Sequence, residues 1–153
     1  MMGVVGAGVG ASASLGWKSD SELDGGLTLG SGLGMAAAYG LTQFLPMDGG
    51  DNAELAAGWG MWGLGGFGLG LLLEQNNSDL MKSLTVGQLA GLGLGIGAGR
   101  YTTFDKNDRA LIGLSTLMGG FHGLFVPYLF VDEPGDNEAF GGGALGVAVG
   151  STL

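Results

Sequence analysis

The chain has 153 residues, of which 36 are glycine, 46% are hydrophobic and only 12% are charged, with no cysteine, three prolines and a formal charge of −9. That balance excludes a collagen, which needs glycine at every third position and abundant proline, a disulfide scaffold, and a disordered chain, which needs low hydrophobicity. Five bases in an acidic chain cannot build the basic surface that nucleic acid requires, so no nucleic acid is expected as partner.

The nineteen charges fall in five clusters, at 18–24, 48–54, 74–82, 100–109 and 132–138. Between them lie six charge-free segments: 1–17, 25–47, 55–73, 83–99, 110–131 and 139–153. A soluble amphipathic helix carries a charge every turn or so on its wet face, and these segments have no such face. Their length suits a helix crossing a hydrocarbon layer of ~30 Å, which takes about 20 residues.

In chain order, segment 1–17 lacks the positive start of a secretory signal, although Ala11-Ser12-Ala13 imitates a cleavage site. It reads as one more span, with Gly6 and Gly10 spaced by four. Gly6-Ala7-Gly8-Val9-Gly10 is no dinucleotide loop, because too few residues precede it to form the required strand. Segment 25–47 carries the ridge Gly26/Gly30/Gly34 after Ser19-Asp20-Ser21-Glu22, which has capping-box spacing. Segment 55–73 follows a second such box, Asp51-Asn52-Ala53-Glu54, and pairs Gly66/Gly70 with the large Trp59, Trp62 and Phe67. Segment 83–99 carries Gly87/Gly91/Gly95/Gly99, with Ser78-Asp79 as helix start. Segment 110–131 follows the caps Asn107-Asp108 and holds Gly119/Gly123, Phe121, Phe125 and the single histidine, His122. Segment 139–153 carries Gly142/Gly146/Gly150.

The run 91–99 alternates strictly, which suits a strand, yet its glycines at spacing four also share a helix face. Composition decides. Leucine occurs 25 times against 17 for valine, isoleucine and threonine together, whereas strands favour the β-branched types. The expected fold is all-α: about six short helices in antiparallel hairpin repeats of ~57 residues, forming a membrane-type bundle or array over 1–153. The alternative is a transmembrane β-barrel with two strands per segment. That alternative lacks Asn, Asp or Pro in the middle of the segments, where its turns belong.

Self-similarity supports a repeated unit. Leu27-Thr28-Leu29-Gly30 returns as Leu84-Thr85-Val86-Gly87, and Gly65-Gly66-Phe67 returns as Gly119-Gly120-Phe121. A third copy begins near Gly142-Gly143-Ala144-Leu145-Gly146. Glycines spaced by four make a flat groove that lets a neighbouring helix approach, and in lipid such contact must replace the hydrophobic drive between helices. In water each glycine costs ~1 kcal/mol relative to alanine in a helix.

The runs Leu27-Thr28-Leu29-Gly30-Ser31-Gly32-Leu33-Gly34 and Trp62-Gly63-Leu64-Gly65-Gly66 have counterparts in Val86-Gly87-Gln88-Leu89-Ala90-Gly91 and Met118-Gly119-Gly120. This pattern resembles glycine-zipper helical-hairpin repeats of uncharacterised bacterial membrane-associated proteins. The resemblance implies an α-helical repeat and no particular activity.

Few residues carry chemistry. Mid-span His122 is either a proton relay or ligand contact, or a neutral imidazole bonded to a backbone carbonyl or to Ser115. Asp48-Gly49-Gly50-Asp51 and Asp132-Glu133-Pro134-Gly135-Asp136 lack calcium-loop spacing and read as solvated turns. Arg100, Lys106 and Arg109 are expected to pair with Asp105 and Asp108 rather than with lipid headgroups. Trp17, Tyr39, Phe44, Trp59, Tyr101, Phe104, Tyr128 and Phe130 lie mostly near segment ends, as an aromatic belt does. No nucleophile set or zinc set is visible, so no enzyme, cofactor or metal is expected. Both loop sides are acidic and show no positive-inside bias. The cell envelope, and the outer membrane of bacteria in particular, suits this better than an inner membrane.

The functional expectation is a self-assembling, membrane-embedded scaffold or pore wall in a multi-subunit complex. Its partners are lipid and either further copies or other subunits. An outer-membrane barrel with a channel or adhesion role and an extracellular fibre subunit are the alternatives. Both termini break off without a polar cap, which suggests that the ends meet other chains or that the sequence is part of a longer one.

Overall fold

The computed structural model describes residues 2–17, 31–36, 40, 49–101 and 104–152. The fold is all-α, and no strand occurs among the described residues. Helices α1 (Met2–Trp17), α2 (Gly49–Leu72), α3 (Asn77–Tyr101), α4 (Lys106–Phe125) and α5 (Asp136–Gly150) are joined by a 3₁₀ turn, Val126–Leu129, after α4. A helical stretch at 31–36 follows α1. The β-barrel alternative fails at 91–99, which lies inside α3. A period of four contains a period of two, so the alternation there was also a helical ridge.

Helix ends differ from the expected ones because the polar clusters supply first turns as well as caps. Asp105, not Asn107, caps α4: its carboxylate accepts from the backbone N–H groups of Asn107 (2.7 Å) and Asp108 (2.9 Å), and Asp108 reaches back in a capping box. Ahead of α3, Asn76 accepts from the Asp79 N–H at 3.0 Å, which leaves Ser78 inside the first turn. Helix α2 starts at Gly49, so Asp51 is helical rather than a cap. The box at Ser19–Glu22 lies outside the described residues.

The α2–α3 turn closes with two reversed bonds, Glu74 N–H to the Leu71 carbonyl and Gln75 N–H to the Gly70 carbonyl, both 3.0 Å. This is a Schellman ending with Glu74 in the left-handed position, at φ 50. Glycine adopts that conformation without a Cβ clash. Glu74→Gly is therefore expected to raise stability by about 0.5–1 kcal/mol, read as a higher thermal midpoint by circular dichroism. At the other hairpin, Pro127 lacks the N–H needed to continue α4, so the chain tightens into the 3₁₀ turn.

The helices stand side by side in one row. Helix α3 lies between α1 and α2, which also touch where Trp59 reaches Gly8, α2 lies between α3 and α5, and α5 separates α2 from α4. Stretch 31–36 packs on α1 through Gly34, which faces Gly6 and Gly10, and through Met35, which lies 3.4 Å from the Cβ position of Gly3. That face of α1 points away from the one that meets α3. Row neighbours run antiparallel: Gly58 faces Gly91 while Gly70 faces Leu80, and Gly119 faces Gly146 while Gly123 faces Gly142. The order along the row is thus 31–36, α1, α3, α2, α5, α4. The same relation recurs, with the first helix of one hairpin against the second helix of the next.

A row one helix thick has little interior. Leu55 is the only large side chain that is fully buried among the described residues, packed by Leu92 and Ile96. Large apolar side chains stand open along the helices, among them Leu69, Val86, Leu94, Leu117 and Phe121.

Candidate functional site: the helix-packing ridges

The glycines at spacing four occupy the contact lines between helices. In the α2–α3 pair, a Cβ on Gly66 would strike the Ser83 carbonyl, one on Gly87 the Trp62 carbonyl, and one on Gly91 the Gly58 carbonyl. A Cβ on Gly95 would stand 3.1 Å from the Leu55 Cα, and one on Gly70 would stand 2.7 Å from the Leu80 side chain. In the α4–α5 pair, Gly119 meets the Gly146 carbonyl, Gly123 and Gly142 meet each other's carbonyls, and Gly150 meets the Ser115 carbonyl. Gly34 meets the Gly6 carbonyl. Gly26 and Gly30 lie outside the described residues, and so do the surroundings of Gly99.

A carbonyl oxygen recurs where the missing Cβ would stand. Backbones that close place Cα–H groups against carbonyl oxygens, a weak attraction of about 0.5–1 kcal/mol each. The larger gain is dispersion between two backbones in direct contact. A methyl group at the positions that meet a carbonyl has nowhere to go, because the obstruction is main chain, whereas at Gly70 it is the Leu80 and Gln75 side chains.

A second set of contacts, between hairpins, was not among the expected ridges. Gly68 and Gly141 meet at each other's carbonyls, which would stand 2.5 and 2.7 Å from Cβ atoms added there, and Gly65 faces the Ala148 methyl, with Ala148 fully buried. Between α1 and α2, Gly8 lies against the Trp59 indole, which would stand 2.5 Å from a Cβ added there. Trp59 therefore packs between helices rather than serving in an aromatic belt, and its buried indole N–H has no hydrogen-bond partner among the described residues. Trp17, by contrast, stands exposed at the end of α1. Tyr39 and Phe44 lie outside the described residues.

The α1–α3 contact is polar. Ser12 donates to Gln88 Oε1 at 2.7 Å, Thr85 reaches Ser12 Oγ at 2.9 Å, and all three are buried. Each hydroxyl also has a carbonyl on its own helix as an alternative acceptor, Val9 for Ser12 and Met81 for Thr85. Ser78 donates to the Gly16 carbonyl at 2.7 Å, and Ser115 donates to the Gly150 carbonyl at 2.6 Å. Both acceptors lie in a helix's last turn, where carbonyls lack intrahelical partners. The sequence signal for this network was Gln88, a lone amide in an apolar segment. Gln88→Ala removes the interhelical acceptor but leaves the local ones. The expected cost is about 1 kcal/mol, measured by denaturant unfolding in detergent.

His122 lies on the outer side of α4, exposed, with its ring edge-on to Phe121 at 5.7 Å. Its Nδ1 is 2.7 Å from the Met118 carbonyl, so this nitrogen carries the proton and donates. Of the two neutral partners expected, the carbonyl is the one used; Ser115 bonds elsewhere.

The charged residues gather at the two edges of the row. At one edge Arg109 lies 3.6 Å from Glu54 of α2, not against Asp105 or Asp108 as expected, because both of those carboxylates are taken up in the capping box. The side chain of Arg100 lies outside the described residues. At the opposite edge Glu74, Asp136 and Glu138 line an open cleft between the α2–α3 turn and the start of α5. Asp79 there is bonded to Lys82 at 2.7 Å and to Asn76, which together hold its carboxyl below the ordinary range.

Two helical stretches, Glu54–Leu72 and Lys106–Leu129, are long and apolar enough to cross a membrane, and most of each remains unburied within the protein. Comparison with protein-family models, with curated proteins and with solved structures gives no match to this chain.

Proposed function

We propose that the chain is a non-enzymatic, membrane-embedded scaffold: a glycine-zipper repeat of three helical hairpins that lays a wall of helices across a bilayer. One observation carries this reading. A single row of helices joined by glycine contacts leaves large apolar side chains open along its length, while its charges gather at the two edges. In water such surfaces would drive aggregation. In lipid they are the normal boundary, and the helices are held by close backbone contact.

Scaffold is favoured over pore wall by the same surface. A water-filled channel needs a polar lining, whereas α2 from Leu55 to Leu72 carries no ionisable group and α4 from Ala110 to Phe125 carries only His122. The low count of bases at both edges suits an envelope membrane outside the reach of the positive-inside rule, the bacterial outer membrane among them.

The test is fractionation of the expressed chain followed by flotation with phospholipid vesicles. The expected result is a helical protein that resists alkaline extraction, floats with lipid and leaves a trapped small dye in place. A helical monomer in plain buffer overturns the proposal. Dye release replaces scaffold with pore, and lipid-free helical filaments in buffer replace it with the extracellular fibre.

A further inference from the structure

We infer that the row continues from one molecule into the next: the outer face of α4 seats the 31–36 stretch of a second copy of this chain. This inference rests on the membrane-scaffold reading and adds to it the interface and the identity of the partner.

Every first helix of a hairpin, except the last, has neighbours on two sides. Helix α1 is flanked by 31–36 and α3, and α2 by α3 and α5. Among the described residues, helix packing covers α4 on the α5 side, by contacts at Gly119, Gly120 and Gly123. Diametrically opposite, at helical spacing of three and four, stands the stripe Leu111, Leu114, Met118, Phe121, Phe125 and Tyr128, each at least half exposed. The rings of Phe121 and Phe125 lie 5.1 Å apart edge-on, with Tyr128 next in line at 6.4 Å, so the stripe is a ridge of knobs.

The other end of the row has the complementary relief. Gly34 and Met35 turn toward α1, which leaves Gly32, Leu33 and Ala36 on the opposite face. Nothing lies within 4 Å of the Cβ position of Gly32. The ridge of knobs at one end thus meets, at the other, an open face where Gly32 and Ala36 leave room beside the exposed Leu33.

Three properties of the internal contacts select this partner over a second α4. Inside the chain the extensive contacts between hairpins join a first helix to the second helix of another hairpin, as α1 meets α3 and α2 meets α5, while the first helices α1 and α2 touch through Gly8 and Trp59. All row neighbours are antiparallel, and 31–36 runs opposite to α4, whereas two α4 helices related by a two-fold axis along the membrane normal would be parallel. A simple translation also keeps the edge with Glu74, Asp136 and Glu138 on one membrane side in every copy. Such a contact is heterologous and does not close on itself, so it yields strips rather than dimers.

The native chain has no cysteine, which makes cross-linking direct. Met118→Cys and Ala36→Cys variants, each checked for unchanged helix content, are reconstituted in phospholipid vesicles and treated with a short bismaleimide. The expected result is a covalent dimer when the two variants are mixed, a ladder of higher species from the double variant, and no product from either variant alone. Leu69→Cys, on an exposed face of α2, serves as collision control and is expected to stay monomeric. Phe121→Ala combined with Phe125→Ala should lower the mixed yield about tenfold; an unchanged yield overturns the inference. Dimers from Met118→Cys alone overturn it in favour of a two-fold contact. Floating, helical protein with no product in any mixture overturns it while leaving the membrane reading intact. Failure to float removes the membrane reading itself.

Discussion

Gly87→Leu is expected to open the α2–α3 hairpin and to cost about 3 kcal/mol or more. The Cβ position of Gly87 is blocked by the Trp62 carbonyl and by Gly66, whose Cα lies at 3.0 Å. All of these are main-chain atoms, so no rotamer change makes room. The two helices must part toward the ~8–10 Å separation usual for side-chain-bearing contacts. Parting them also loses the contacts at Gly58/Gly91 and Gly66/Ser83, because a rigid helix cannot yield at one residue only. The matched control is Gly93→Leu on the same helix, where nothing lies within 4 Å of the Cβ position. Its effect should stay within about 0.5 kcal/mol, and Gly93→Ala should stabilise by up to ~1 kcal/mol through helix propensity. Reversible unfolding in mixed micelles, followed by circular dichroism, reads all three. Equal damage from Gly87→Leu and Gly93→Leu would show that glycine matters for the backbone and not for the contact.

That pair of variants also marks how much of the architecture the sequence carries. Spacing by four was enough to identify the face of α3 that meets α2, because Gly87, Gly91 and Gly95 form a longer line than the competing pair Gly93/Gly97, which stands open. The same reasoning could not resolve α2. Its glycines at 58, 60, 63, 65, 66, 68 and 70 cover every face, so the sequence did not say that Gly66 and Gly70 face α3 while Gly65 and Gly68 face α5. The order of the row was equally hidden. Chain order suggests that 31–36 meets α2 and that α3 meets α4, yet the hairpins are joined through α1 against α3 and α2 against α5. Pairings across hairpins depend on which small-residue faces match, and matching is a property of two surfaces rather than of one segment. Cap positions moved by a few residues for a simpler reason: Asp105 and Asp108 both satisfy free N–H groups, and a sequence rich in such residues offers several equivalent starts. Ser12 gave no signal of its own, since a serine at spacing four from glycines reads as one more small residue until Gln88 stands opposite it.

Ala148→Leu is the variant expected to cut the row between hairpins. Ala148 is fully buried, and its methyl group fills the space in front of Gly65. One turn away Ala144 lies 2.8 Å from the Cβ position of Gly68, and Gly141 closes on the Gly68 carbonyl. The leucine adds three carbons at the closest point of two backbones and should cost about 2–4 kcal/mol. Its consequence differs from that of Gly87→Leu. The face of α5 that holds α4 is made of Gly142, Gly146 and Gly150, on the other side of the helix, and the α2–α3 contact does not involve α5 at all. Both hairpins therefore keep their internal packing while they lose each other. Unfolding should split from one transition into two, since the units no longer share an interface, with helix content at the start unchanged. Val149→Leu, one position on and half exposed, should leave a single transition within about 0.5 kcal/mol of the native chain. One unshifted transition for Ala148→Leu would place α5 elsewhere than against α2. The row would then lose its central joint, and with it the geometric basis for extending it from copy to copy.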